Sequence, residues 1–185
     1  MKCLISTAIS ALVLSSNAIA FAEPLKNNSA RSLLISQDTT DSIQIESQIR
    51  EFINDWGKAW SPEEDAPQYS RESLVPFYLQ SDELLAFDFT DAESTTVYRG
   101  VENHHSTWSS FVRDYEYWTF IPRSQSVRVY PQSKNAAAAT LIVDIYGRKP
   151  DGKEFKANAH ATLLLEKRNK NWVIVHENIW GPVNE

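Results

Sequence analysis

The chain has 185 residues and a formal net charge of −6, with 24 acidic and 18 basic side chains. This length suits one domain with a sizeable hydrophobic core. A moderately acidic chain without a basic stripe argues against a nucleic acid as its partner.

Residues 1–22 have the pattern of a secretory signal peptide. Lys2 precedes an apolar stretch that ends in two overlapping Ala-x-Ala patterns, as before a cleavage site. We expect cleavage after Ala22 and a secreted or periplasmic protein, with an uncleaved membrane anchor as the alternative. The only cysteine, Cys3, would be lost with the leader, which excludes disulfides and thiolate chemistry. No later apolar run approaches the about 20 residues that span a bilayer, so we predict no membrane contact after cleavage.

The domain is predicted over residues 43–185, after a linker at 23–42 whose polar composition is typical of flexible segments. Apolar residues at helical spacing predict an amphipathic helix over 43–59. A short helix follows near 70–78, where Pro76 should disturb it. Two strands at 84–89 and 95–98 then lead to a further helix at 101–113.

The remaining sequence reads as a meander of strands joined by polar turns. We predict these strands over 120–130, 136–146, 155–166 and 172–179. Helices followed by long antiparallel strands predict an α+β domain with its helices packed on one face of a curved sheet.

The last predicted strand carries polar side chains among large aromatic ones. Trp172, His176, Asn178 and Trp180 recur at alternate or every-fourth positions, so they can share one face of a sheet. We interpret that face as the lining of a pocket. A β-bulge in this strand would shift the register and turn these residues outward.

Several motifs occur in a fixed order along residues 43–182. They are Trp56 with Lys58-Ala-Trp60, Tyr98-Arg-Gly100, Ala136–Ala139, and Lys170-Asn-Trp172-Val-Ile-Val-His176-Glu-Asn178. Together they resemble the nuclear transport factor 2-like superfamily, and most of all its SnoaL-like and ketosteroid-isomerase-like members. Members often end in His-Glu-His and Ser-x-Pro, where this chain has Asn178 and Trp180.

The resemblance implies a cone-shaped α+β barrel whose antiparallel or mixed sheet wraps around the N-terminal helices and encloses an apolar pocket. Members include isomerases and dehydratases as well as proteins without chemistry. The resemblance also implies a homodimer through the outer face of the sheet. The sequence supports this, because a sheet that is apolar on both faces needs a cover on both. The apolar residues that we assign to the outer face are Leu141, Val143, Ile145, Ala161, Leu163, Leu165, Val173 and Val175, opposite Asp144, His160 and His176.

If the protein is an enzyme, the candidate catalytic residues are His176, His160 and Asp88. Imidazoles on adjacent strands suit acid–base chemistry near neutral pH, and Asp88 lies between two phenylalanines, an apolar setting that suits a general base. The alternative is structural, with hydrogen-bonded core histidines and an exposed aspartate; Asp144, between two apolar residues, has the same two interpretations.

The candidate pocket residues come from helices and strands alike. They are Trp56, Tyr78, Tyr98, His104, Trp108, Asn178 and Trp180. Because consecutive helical residues point about 100° apart, we expect only one of His104 and His105 to face inward. No His-x-His or His-Glu-x-x-His spacing is present, so we predict no metal and no cofactor.

Three functions remain open from the sequence. The first is an exported domain that binds a small hydrophobic molecule without an assigned reaction. The second is a dehydratase- or isomerase-like enzyme with a His/Asp pair, and the third is a non-catalytic interaction or dimerisation module.

Overall fold

The computed structural model describes residues 28–61, 70–89 and 95–181. The predicted signal peptide and cleavage site lie outside these residues. The described helices are α1 (Asn28–Trp60), α2 (Arg71–Leu74), which continues as a 3₁₀ turn at Val75–Phe77, and α3 (Val101–Val112). The described strands are β1 (Leu85–Phe89), β2 (Thr95–Arg99), β3 (Tyr117–Pro122), β4 (Arg128–Ser133), β5 (Ala136–Arg148), β6 (Glu154–Arg168) and β7 (Asn171–Trp180).

Helix α1 packs an apolar stripe against the sheet. Ile45, Ile49, Ile53, Trp56 and Trp60 recur every three or four residues and are all buried, as an amphipathic helix requires. The helix already begins at residue 28, so the predicted linker is helical from that residue on. The sequence predicted that the helix begins near residue 43 because apolar residues at helical spacing begin only at Ile45.

The strands form one mixed sheet in the order β2-β1-β7-β6-β5-β3, with β4 beside β3 on the edge of β5. Strand β1 pairs with β7 in parallel, and the other named pairs are antiparallel. The α+β class and the mixed sheet are therefore confirmed. Among the described strands the sheet does not close on itself, so the term barrel was wrong. No described helix has both the length and the apolar character to cross a membrane.

The predicted strand at 120–130 is two strands separated by a short break. Residues 124–126 form a 3₁₀ turn between β3 and β4. The Ser126 hydroxyl donates to the carbonyl of Arg123 at 2.7 Å and accepts from the amide of Ile142 at 2.8 Å. A serine that bonds to nearby backbone competes with the strand ladder, which explains the break.

The inner face of β5 and β6 is the face that the sequence analysis placed outside. Leu141, Val143, Leu163 and Leu165 are at most 2% exposed and belong to the core. The helices cover this face because it carries the larger apolar area, and its burial drives folding. The face with Asp144, His160 and His176 is the outer one.

Candidate functional site

A β-bulge in β7 decides which C-terminal side chains face the core. Leu164 pairs with His176 while the next residue, Leu165, pairs with Ile174, so Val175 has no partner on β6. The extra residue resets the alternation of faces.

Before the bulge, Trp172 and Ile174 point inward; after it, Glu177 and Ile179 do. The predicted inward placement of His176, Asn178 and Trp180 is therefore wrong, and these side chains lie on the outer face.

The two strand histidines contact aromatic rings on this outer face. The His160 ring stacks on Trp180 at a centroid distance of 4.8 Å and an angle of 12°. The His176 ring meets Phe87 edge to face at 5.6 Å. The structure does not bring either histidine to the buried Asp88, so the predicted catalytic pairing is not formed.

The other predicted site residues do lie inside the domain. Each is at most 4% exposed; they are Trp56, Tyr78, Asp88, Tyr98, His104 and Trp108. Both His104 and His105 are fully buried, which corrects the expectation that only one would face inward. The buried stripe of α3 is wide enough for two residues about 100° apart.

Three ionisable side chains converge in this interior, and we call them the interior centre: Asp88 on β1, His104 on α3 and Glu177 on β7. The Nε2 atom of His104 lies 3.2 Å from Oε1 of Glu177 and 3.2 Å from Oδ2 of Asp88. All three side chains are fully buried. The parallel pairing of β1 with β7, which places Ala86 opposite Glu177, sets the two carboxylates side by side.

Aromatic donors fix both carboxylates. Trp108 donates from Nε1 to Oδ2 of Asp88 at 2.8 Å. The Tyr78 hydroxyl donates to Oε2 of Glu177 at 2.9 Å and accepts from Nε1 of Trp56 at 3.0 Å. Since each donor is itself packed in the core, the carboxylate oxygens are held in defined directions.

The electrostatics of the centre favour one positive charge. Burial alone would lower the pKa of His104, but hydrogen bonding and charge from the two carboxylates raise it to about 9. Burial, aided by the charge of Asp88, raises the pKa of Glu177 to about 7 although His104 opposes the shift. Burial also raises the pKa of Tyr78 well above its usual range.

Some polar atoms beside these contacts have no hydrogen-bond partner within the described part of the chain. They are Oδ1 of Asp88, Nδ1 of His104 and both ring nitrogens of His105. Burial and then the charge of His104 lower the pKa of His105 to about 4, so its ring is neutral. A buried polar atom left without a partner costs about 1–3 kcal/mol. Such atoms have unused hydrogen-bonding capacity that a bound group could satisfy.

The interior centre also has the composition of a metal site. One ligand atom from each of Asp88, His104 and Glu177 lies within 4.8 Å of the others. Glu177 was not among the predicted site residues, although its place two residues before the apolar Ile179, on the same face of a strand, was a usable signal. No metal was predicted because His-x-His and His-Glu-x-x-His spacings are absent.

The larger described cavities are elsewhere. One of about 620 Å³ lies beside Ile45 and Pro131, and one of about 520 Å³ lies on the outer face beside Asp144 and Tyr146.

Comparison with known proteins gives a family and a fold. The family model described as a SnoaL-like domain matches residues 49–179. A search of curated proteins gives no match. A nuclear transport factor 2-like superfamily protein from Salmonella enterica serovar Typhimurium is 16% identical, with a TM-score of 0.64 over 77% of this chain and 94% of that one.

Two further structures are similar at the level of the fold. A candidate scytalone dehydratase from Novosphingobium aromaticivorans is 9% identical, with a TM-score of 0.61 over 80% of this chain and 93% of that one. A type 2 hexachlorocyclohexane dehydrochlorinase (LinA) is 14% identical, with a TM-score of 0.58 over 79% of this chain and 93% of that one.

Proposed function

Because this chain belongs to the SnoaL-like domain family, we propose that it binds a small molecule inside its cone, against the interior centre of Asp88, His104 and Glu177. The walls around the centre are aromatic. Trp60 packs edge to face on Trp108 at 5.1 Å, and Tyr78 lies 4.9 Å from the His104 ring. Rigid aromatic walls with a few polar groups are typical of sites for small hydrophobic molecules.

The observation that carries this proposal is the complete burial of three convergent ionisable groups. Placing a carboxylate or imidazolium in a low-dielectric interior costs several kcal/mol per ion before any pairing. Well-packed apolar side chains of similar size would give equal or greater stability. Perturbed ionisable groups cluster at functional sites, and a binding role accounts for retaining them here.

A second candidate is an acid–base enzyme, with His104 in the place that the sequence analysis gave to His160 or His176. The position of its Nε2 between two carboxylates favours this candidate, since one proton can be held or released there. The names of two fold neighbours, a dehydratase and a dehydrochlorinase, denote eliminations, in which a proton is removed from the substrate.

The test is native mass spectrometry of the protein isolated from its own host, compared with the denatured mass. We expect an added mass of a few hundred daltons that is lost on denaturation. It should be absent from Glu177→Gln and retained by His176→Gln, the matched variant on the outer face. Retention in both variants would place the ligand elsewhere. No added mass, and no rise in Tm with a panel of flat aromatic and alicyclic compounds, would reject the proposal.

Export and self-association are part of the same proposal. The leader pattern supports secretion, and Edman sequencing of the exported protein should then begin at Glu23.

The outer face supports a homodimer because Leu164 and Trp180 are 43% and 51% exposed on neighbouring strands.

A further inference from the structure

We infer that the interior centre binds one divalent transition-metal ion, with Asp88, His104 and Glu177 as its ligands. This inference concerns the same centre as the proposed function and names the ion through which a small molecule would be held there. It does not depend on the identity of that molecule.

The geometry around His104 fits a shared metal ion. Its Nε2 atom contacts two carboxylate oxygens at 3.2 Å each, but an imidazole nitrogen carries only one hydrogen. Both contacts are longer than the about 2.7–2.9 Å of a charge-assisted hydrogen bond, whereas the nearby Trp108 and Tyr78 donors reach 2.8 and 2.9 Å. A metal ion about 2.1 Å from each ligand holds two such atoms about 3.0–3.4 Å apart. Both separations from Nε2 lie in that interval, and the ligand atoms of Asp88 and Glu177 lie within 4.8 Å of each other.

The charge of the buried centre also favours a cation. When His104 is in the neutral form that binds a metal, the two carboxylates leave a net charge of −2, and all three side chains are fully buried. No lysine or arginine contacts them among the described ion pairs. One proton on His104 would neutralise half of this charge, whereas a divalent cation would neutralise all of it. Buried charges are normally paired or bound to metal.

The donor atoms and the hydrogen bonds that orient them suit a transition metal. An imidazole with two carboxylates suits first-row transition metals such as Mn²⁺, Fe²⁺ and Zn²⁺, whereas Mg²⁺ and Ca²⁺ prefer oxygen ligands alone. Ligating carboxylates in metal sites are usually oriented by hydrogen bonds from outside the site. Trp108 and Tyr78 supply such bonds to Asp88 and Glu177.

Three protein ligands leave coordination positions open, as in catalytic rather than purely structural metal sites. The second carboxylate oxygen of Asp88 is buried without a hydrogen-bond partner in the described chain, so it is available as a fourth donor. The remaining positions suit water or an oxygen atom of a small molecule.

The test uses the protein expressed as the full chain, treated with EDTA, desalted and then loaded with Mn²⁺ or Zn²⁺. We expect inductively coupled plasma mass spectrometry to find about one ion per chain, as three ligands predict, and the ion to raise Tm by several degrees. His104→Gln, Asp88→Asn and Glu177→Gln should each weaken binding by at least about tenfold. His176→Gln and Glu166→Gln, on the outer face and at an exposed ion pair, should bind like wild type.

A second readout covers variants that fail to fold. Electron spin echo spectroscopy of the Mn²⁺-loaded wild type should show coupling to an imidazole nitrogen. Wild-type protein that binds neither ion, or bound Mn²⁺ without nitrogen coupling, would overturn the inference. Native mass spectrometry on the same EDTA-treated sample separates the two proposals. A small molecule retained by protein that binds neither ion would leave the proposed function standing and overturn only the metal site.

Discussion

The Tyr78 hydroxyl is the only described hydrogen-bond donor to Oε2 of Glu177, at 2.9 Å, and it also accepts from Nε1 of Trp56. Tyr78→Phe would therefore leave one acceptor and one donor unpaired in the core. We expect the free energy of unfolding to fall by about 1–3 kcal/mol, measured by urea denaturation.

The matched control is Tyr130→Phe, because Tyr130 is half exposed. Its unfolding free energy should change by less than about 0.5 kcal/mol. An equal loss in both variants would show that the effect comes from the ring substitution rather than from the buried hydrogen bonds.

His176 and Glu177 are adjacent in the chain but lie on opposite faces of β7, which makes them a natural pair of variants. His176→Ala removes a partly exposed ring and should change unfolding free energy by about 0.5 kcal/mol or less. Glu177→Ala leaves the Tyr78 hydroxyl and one side of His104 unpaired, and should cost about 1–3 kcal/mol. Thermal unfolding of the two proteins side by side checks this. The reverse order would contradict the inward placement of Glu177 and the outward placement of His176.

Protein freed of metal should lose stability as the pH rises from 7 to 9. His104 faces Asp88 from β1 and Glu177 from β7, with Tyr78 and the neutral His105 beside it, and these carboxylates raise its pKa to about 9. A raised histidine pKa stabilises the fold fully below the unfolded value of about 6.5, and this contribution is lost as the pH passes 9.

The raised pKa of Glu177, about 7, acts in the same direction between about pH 4.5 and 7. The lowered pKa of His105 makes stability rise with pH instead, but only below about pH 6.5. Tm measured against pH should therefore fall above 7 in wild type and much less in His104→Gln. A flat wild-type profile would contradict the charge assignment of the centre.

Gly57→Ala should destabilise the protein although alanine is the better helix former. A Cβ at this position would lie 2.7 Å from Cγ of Pro122, where α1 crosses β3. Overpacking of this kind costs about 1–3 kcal/mol and outweighs the about 1 kcal/mol gained in helix propensity. Chemical denaturation of this variant and of the exposed Lys58→Ala gives the comparison. A stabilised Gly57→Ala would show that the helix can shift away from β3.

The outer face should hold two copies of the chain together if the proposed homodimer forms. Leu164→Asp with Trp180→Asp would place two carboxylates on that surface and should convert a dimer to a monomer in light scattering. Ile43→Asp, at an exposed position of α1, should leave the mass unchanged. A wild-type monomer at high micromolar concentration would reject the dimer.

The sequence predicted the elements better than it predicted the faces of β7. Helical spacing from Ile45 to Trp60 identified α1, and apolar alternation identified β5 and β6. In β7 three consecutive apolar residues, Val173 to Val175, are compatible with either register. The bulge, which turns Glu177 inward toward His104, has no local signal in this run of residues.

The interior centre itself could not be predicted from spacing. Asp88, His104 and Glu177 come from three separate elements, and local motifs detect only ligands that share one element. Two of the three were still named from the sequence: Asp88 as a catalytic candidate, because it lies between two phenylalanines, and His104 as a pocket residue.

Glu177 and His104 are 73 positions apart in the chain, and the interior centre joins them to β1 at one point. It therefore acts as a non-covalent cross-link in a chain whose only cysteine, Cys3, lies outside the SnoaL-like domain. Closing so long a loop costs conformational entropy on folding, which the contacts of the centre must offset. Amides of α3 and of the second half of β7 should exchange with deuterium as one cooperative unit, and occupation of the centre should slow both together.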